Sequence, residues 1–205
     1  MPHPSSPWVR RALDALLPFL LLLLVLAAAP HPAFARARGH AARACANAGA
    51  RVSTASRNEL ERAVVCLVNE RRAAHGLPAL RDNARLDRAA QGWTDRMVRD
   101  RTFSHGSDFA GRITAAGFHW SAAGENIATG YSTPSAVVSA WMASPEHCRN
   151  ILAPNFSAIG VGVVGHAVTR SGRDAATWTQ DFALPIGSSA PSGRWGPARG
   201  CPYAS

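Results

Sequence analysis

Lysine is missing altogether: all 22 basic residues of this 205-residue chain are arginine. Alanine is abundant as well, so the pattern reads as a composition bias. The formal charge of +9 reads as an arginine-studded surface. Its sharper implication is attraction to an anionic envelope or membrane surface. No heptad or short repeat is present and glycine supplies only 17 residues, which excludes coiled-coil and collagen-like classes. There is no C-x-x-C pair, so a zinc site built from all the cysteines is disfavoured. There is no G-x-S-x-G elbow, P-loop or dinucleotide fingerprint. Basic and aromatic residues do not interleave, which argues against a nucleic-acid partner. What remains is 47% hydrophobic. That is enough to offset the entropy of ordering one domain, while two full-sized domains would be cramped.

Arg10 and Arg11 precede an apolar stretch, Leu16 to Ala29, which contains five successive leucines from Leu20 to Leu24. Ala33-Phe34-Ala35 follows as an A-x-A cleavage pattern. This predicts a secretory signal peptide over residues 1–35, cut after Ala35. An uncleaved anchor is the alternative, but the run falls short of the roughly 20 residues a spanning helix needs. No stable membrane span is expected after cleavage. No lipobox cysteine lies near the site, which disfavours a lipoprotein. The expected location is extracellular, free or envelope-associated. All four cysteines, Cys45, Cys66, Cys148 and Cys201, fall in the exported part. An even count in an oxidising compartment favours two disulfides, and three connectivities are open. Cys45–Cys66 with Cys148–Cys201 is the favoured pairing, because each bond restrains a segment too polar to hold itself down.

Residues 36–55 read as a loose arm, residues 56–184 as the folded domain, and residues 185–205 as an irregular Pro/Gly/Ser-rich tail. A capping box, Ser56-Arg57-Asn58-Glu59, opens a helix running to about Ala74, with Leu60, Val64, Leu67 and Val68 on one stripe. A second helix is predicted from about Asn83 to Arg99, burying Leu86, Ala89, Ala90, Trp93 and Met97. Arg71, Arg72, Arg96, Arg99 and Arg101 lie on or just after these helices among Glu and Asp residues. Residues 103–133 are glycine-punctuated and read as loop, interrupted by a short helix from Asp108 to Ala116. Thr133-Pro134 and Ser144-Pro145 each place a cap before a first-turn proline and open two further helices. Ile159 to Val163 alternates with period two and Ala176 to Ala183 forms a second strand, joined by a hairpin loop at Thr169 to Asp174. Helices first and strands late argue an α+β fold. His119 and His166 read as exposed loop residues.

Three segments carry polar residues that a core-first pattern does not call for. They are Phe103-Ser104-His105, Gly124-Glu125-Asn126-Ile127, and Ser144-Pro145-Glu146-His147-Cys148-Arg149-Asn150. Each alone has a bland reading as a cap, a turn carboxylate or first-turn residues. Their order and neighbours add information. Ser-His, Gly-Glu-Asn-Ile, a Trp, Ser-Pro-x-His-x-x-Asn-Ile-Leu-x-Pro-x-Phe-x-x-Ile-Gly-Val-Gly and Trp-Thr-Gln-x-Phe occur in sequence between Asn58 and Leu184. This arrangement resembles the CAP (SCP/pathogenesis-related-1) superfamily, in particular its secreted bacterial branch.

The resemblance implies a three-layer α-β-α sandwich with a small antiparallel sheet and a cleft of His and Glu side chains. Residue by residue, it implies His105 and His147 as the two cleft histidines and Glu125 as the signature carboxylate. Asn126 would order the loop around Glu125, and Asn150 stands where eukaryotic relatives have Gln. Those relatives carry a further Glu three residues after the helix Trp. Here that position is Ser144, so the tetrad is incomplete, and Glu146 lies nearby in sequence only.

Two neutral imidazoles suit Zn²⁺ or another divalent ion, and Glu125 is the candidate catalytic group, either behind the ligands or as a general base. Ser104 adjoins His105, and adjacent residues point apart, so nucleophilic serine chemistry has no support. The expectation is a secreted, monomeric protein that binds an envelope lipid or protein through this cleft. The alternatives are a metal-dependent, protease-like hydrolase using His105, His147 and Glu125, and a purely structural role.

Overall fold

The computed structural model describes residues 45–168, 174–190 and 201–202. The expected leader and most of the Thr169–Asp174 loop therefore lie outside the described residues. No helix among the described residues is long and apolar enough to cross a membrane.

Helix α1 spans Arg57–Ala74 and starts as its capping box predicts. Ser56 Oγ accepts from the Glu59 amide, and the Glu59 carboxylate accepts from the Ser56 amide at 2.9 Å. Its buried stripe is Leu60, Ala63, Val64 and Val68, extended by Arg72. A two-residue strand β1, Arg81–Asp82, leads into α2, Ala84–Arg99, capped by Asn83. Helix α3, Phe109–Ala115, is capped by Asp108, whose Oδ1 accepts from Gly111 at 2.7 Å. Strand β2 covers Trp120–Tyr131. Helices α4, Pro134–Ala143, and α5, Pro145–Ile151, follow. Thr133 caps α4 through its hydroxyl, whereas Ser144 makes no side-chain cap bond to α5. Strands β3, Ala158–Val164, and β4, Ala176–Pro185, complete the order.

The sheet order is β1-β3-β4-β2. The three long strands pair antiparallel, as expected, while the short β1 pairs parallel to β3, so the sheet is mixed. Alternation along β3 and β4 sends side chains to two cores. Ile159, Val161, Val163, Trp178 and Phe182 meet α1, α4 and α5 on one face. Ala158 and Ala183 meet Leu86 and Ala89 of α2, Ile113 of α3 and Phe118 on the other. The result is an α+β sandwich with helices on both faces of the sheet.

Four expectations need correction. The stretch read as loop after Gly117 is the 12-residue β2. Its centre, Gly124 to Ala128, is buried on both faces, so the period-two signal of a half-buried strand is absent. Trp93 is only half-buried, and Arg72 is fully buried. The described part of the arm, residues 45–55, is not loose. Cys45 is bonded to Cys66, the Val52 amide donates to Ser132 O at 3.0 Å, and Ser135 N donates to Ala48 O at 2.8 Å. Backbone hydrogen bonds and a disulfide hold this segment, which hydrophobic patterning does not reveal. Both favoured disulfides, Cys45–Cys66 and Cys148–Cys201, are present.

A groove beside α1 and α2 gathers Arg57, Glu61, Asp87 and Asp95. Burial, with Asp87 and Asp82 nearby, pushes Glu61 up to about 7, against the pull of Arg57. Burial and Asp82 push Asp87 up to about 6, although the hydrogen bond from the Val161 amide opposes this. Folded-state values above the ordinary range near 4 mean that folding takes up protons. The associated stability is present at acid pH and is lost as pH rises through about 6 to 7. His147 is lowered and works in the opposite direction below its usual value. Three carboxyls outweigh one imidazole, because burial and the Glu125 charge raise Asp181 of β4 as well, so the thermal midpoint is expected to fall between pH 5.5 and pH 8. Scanning calorimetry across that range should show the fall in the wild type and a shallower one in Glu61→Gln/Asp87→Asn.

Candidate functional site

Successive residues of a strand point to opposite faces. On β2 this separates Glu125 from Asn126, and each builds one side of the site. Glu125 sits opposite Asp181 of β4, and Asn126 sits opposite Gln180.

On the α2–α3 side, Glu125 Oε1 lies 2.8 Å from His105 Nδ1. Its Oε2 accepts from Arg112 Nη2. The Glu125 side chain is 1% exposed and His105 is 47% exposed. Nδ1–H therefore donates to a carboxylate, which leaves His105 Nε2 as the outward-facing nitrogen. The loop carrying His105 is clamped. Arg112 Nη1 donates to the His105 carbonyl at 3.0 Å, and the guanidinium stacks 3.8 Å from the Trp93 ring. Trp93 Nε1 donates to the Ser104 carbonyl at 3.1 Å. Gly106, at φ +67°, passes so close to the Trp93 ring that a Cβ would lie 2.8 Å from Cη2. Ser104 Oγ accepts from the Gly106 amide at 3.3 Å, a turn role rather than a nucleophile's.

On the opposite face, Asn126 Nδ2 donates to the His147 carbonyl and to Gln180 Oε1, each at 3.1 Å. Asn150 Nδ2 donates to the Glu125 carbonyl at 3.1 Å and to Asn126 Oδ1 at 2.9 Å. These amides bolt α5 to β2. The ordering role expected of Asn126 is therefore exercised on a helix and within a strand.

His105 and His147 line one cleft of about 440 Å³, together with Ser144, Trp141 and residues Ile127 to Thr129. Burial, and then the charge of His105, lower His147 from its usual value, with Glu146 opposing. His147 is thereby favoured as the neutral imidazole that metal binding requires. Glu125, Asn126 and Asn150, expected as cleft residues, do not line it but lie behind it. Glu146 is exposed and outside the cleft lining. Among the described residues, the cleft wall carries no carboxylate.

Arg112, Trp93 and Asp181 belong to the site and were not anticipated from sequence. Asp181 left one signal: an acidic residue at the centre of an otherwise uncharged strand, Ala176 to Pro185. Arg112, in a short helix among small residues, left none. Elsewhere, Cys45, Cys66 and Glu70 cluster at metal-binding spacing, but the two sulfurs are joined as a disulfide.

Donor chemistry fits a divalent cation in the cleft. One imidazole has its inner nitrogen tied to a carboxylate, and burial favours the neutral form of the other. The cleft also has room for water to complete the coordination shell.

Comparison with known proteins supports the same fold. Residues 65–182 match the CAP model, described as the cysteine-rich secretory protein family. YkwD of Bacillus subtilis, an uncharacterised protein, is 38% identical over 126 residues, covering 60% of this chain and 46% of its own. An extracellular protein of Bacillus anthracis containing an SCP domain superposes with a TM-score of 0.54 at 28% identity, over 62% of this chain and 41% of its own. An outer surface protein of Borrelia burgdorferi shares the fold at 20% identity, with a TM-score of 0.53 over 60% of this chain and 90% of its own. The chain thus spans less than half the length of YkwD and of the Bacillus anthracis protein. With the family match covering more than half of the sequence, this chain belongs to the CAP family of cysteine-rich secretory proteins.

Proposed function

We propose that this chain is an exported, monomeric CAP-domain protein whose cleft binds a cell-envelope ligand, lipid or protein, with a divalent ion such as Zn²⁺ held by His105 and His147. The observation that carries the reading is the pair of imidazoles lining one cleft, with His105 Nδ1 anchored on Glu125 at 2.8 Å. When bound, such an ion supplies a Lewis-acidic point that attracts anionic or carbonyl oxygens. The chain's own residues do the rest. Glu125 orients His105, Asn126 and Asn150 hold α5 and with it His147, and Ile127, Ala128 and Trp141 offer apolar surface to the ligand. Export is supported by the leader pattern and by two disulfides, which persist in oxidising compartments.

The geometry favours binding over hydrolysis. Both Glu125 oxygens are engaged, by His105 and Arg112, and the side chain is closed to solvent. It therefore serves as a support behind His105 rather than as a general base with access to a water molecule. Ser144, in place of a second Glu, gives the cleft a hydroxyl but no base.

Isothermal calorimetry with Zn²⁺ tests this on the purified, disulfide-bonded protein. One site is expected in the wild type and none in His105→Ala/His147→Ala. Equal binding by both would overturn the metal assignment and leave lipid and protein capture by the apolar cleft to be tested directly.

A further inference from the structure

Asp181 occupies the middle of β4 and is 1% exposed. Nothing in the cleft reading uses it. Its register partner across the ladder is Glu125, so the two carboxyl groups lie side by side on one face of the sheet. The Glu125 oxygens already accept from His105 Nδ1 and Arg112 Nη2. A third hydrogen bond to Glu125 must come from a donor, and a carboxyl group donates only when protonated. Asp181 Oδ1, moreover, is buried without a hydrogen-bond partner among the described residues. An ionised carboxylate left so exposed to a dry interior is costly, whereas the carbonyl oxygen of a neutral acid loses far less.

The charged groups around the pair lead to the same conclusion. Arg112 of α3 contributes one positive charge and binds Glu125. His105 reaches Glu125 from the loop after α2. Asp87 of α2 turns to the Val161 amide instead. From β3, the residue paired with Asp181 is Gly160, which brings no charge. Among the described residues Arg112 is the one guanidinium bonded to the pair, and Glu125 takes it.

We propose that Asp181 is a positioning residue: a neutral carboxylic acid that donates its O–H to Glu125, so that Glu125 holds one full charge against His105 Nδ1 and turns Nε2 towards the cleft. Burial and the Glu125 charge, opposed by Arg112, raise Asp181 well above the usual carboxylate range, in keeping with this assignment. The proposal deepens the cleft reading but does not require a bound ion.

Nuclear magnetic resonance of the metal-free protein tests it. The ¹³C carboxyl resonance of Asp181, identified by its loss in Asp181→Asn, should lie in the protonated range at pH 7. Asp181→Asn replaces the O–H with an amide N–H and should keep the Nδ1–H signature of His105 in ¹⁵N spectra. Its thermal midpoint should stay within about 2 °C of the wild type, a shift of under about 1 kcal/mol for a chain of this size. Asp181→Leu removes the donor, leaves the Glu125 carboxylate with two hydrogen bonds instead of three, and should shift the His105 Nδ1–H resonance. An ionised Asp181 resonance at pH 7 would overturn the proposal, as would an unshifted Nδ1–H resonance in the leucine variant. If the leucine variant does not fold, the carboxyl resonance of the wild type still decides. Failure of Zn²⁺ to bind, by contrast, would leave these readings untouched and bear only on the metal.

Discussion

Arg72→Met is expected to cost about 3–5 kcal/mol, the loss typical of breaking a buried charged network. Arg72 is fully buried in the last turn of α1. Among the described residues its guanidinium meets main-chain carbonyls rather than a carboxylate. Nε donates to Pro78 at 2.9 Å, Nη1 donates to Ile151 and Ala153 at 2.8 Å each, and Nη2 reaches Phe156 at 3.5 Å. Burial lowers it to about 10, so it stays charged at neutral pH. A single side chain thus satisfies carbonyls of the α1–β1 connector, the end of α5 and the segment before β3. Methionine preserves much of the stem but leaves these acceptors dry, at about 1–3 kcal/mol for each that water cannot reach. Lysine is not an adequate replacement, because a point charge cannot span the same fan of acceptors. Denaturant titration should show the loss, and the thermal midpoint should fall by on the order of 10 °C. Because α5 carries His147, the metal site proposed for the cleft should be disturbed as well. A loss below about 1 kcal/mol would mean that water enters and replaces the guanidinium.

Gly160→Ala is expected to cost about 3 kcal/mol or more, the upper end for overpacking, because the obstacle is backbone. A Cβ at Gly160 would lie 2.2 Å from the Leu86 carbonyl carbon, 2.3 Å from the Asp87 nitrogen and 2.4 Å from Leu86 Cβ. Gly162 meets the same helix one turn on, 2.4 Å from the Gln91 nitrogen. The two glycines let α2 lie directly on β3, where Asp87 and Gln91 accept from the Val161 and Val163 amides at 3.0 and 2.9 Å. Lifting α2 breaks those bonds and displaces the loop that carries His105. Gly92→Ala is the matching control. It lies on the same helix with nothing within 4 Å of the added carbon, and it should gain about 0.5–1 kcal/mol from helix propensity. Unfolding midpoints of the two variants should therefore move in opposite directions.

Local signals in the sequence were reliable wherever the physics is local. The Ser56–Glu59 box and the Thr133-Pro134 start depend on bonds within one turn, and both helices begin where those residues place them. Both disulfides matched the favoured pairing, because each ties a polar segment to a helix. His105, Glu125 and His147 were legible from the order of short motifs, and the family match bears out the resemblance those motifs carry.

Strand β2 was not legible. Its central residues, Ile127 apart, are small or polar and buried on both sides, so neither alternation nor β-propensity marks the segment. Trp93 looked like a core residue by its helical position, yet it forms the platform under Arg112.

By itself, the sequence determined the helix starts, an even count of cysteines suited to two disulfides, and the order of the two histidines with the carboxylate between them in the chain. Tertiary structure alone decided which charged groups leave water. Arg71 and Arg72 are adjacent and chemically identical, yet one is exposed and the other fully buried. The difference is made by carbonyls as distant in sequence as Ile151 and Phe156. The site follows the same rule. Glu125 is held by Arg112 thirteen residues before it and faces Asp181 across the β2–β4 ladder. A charge is stable in the interior only where partners converge on it, and that convergence is set by how the layers pack.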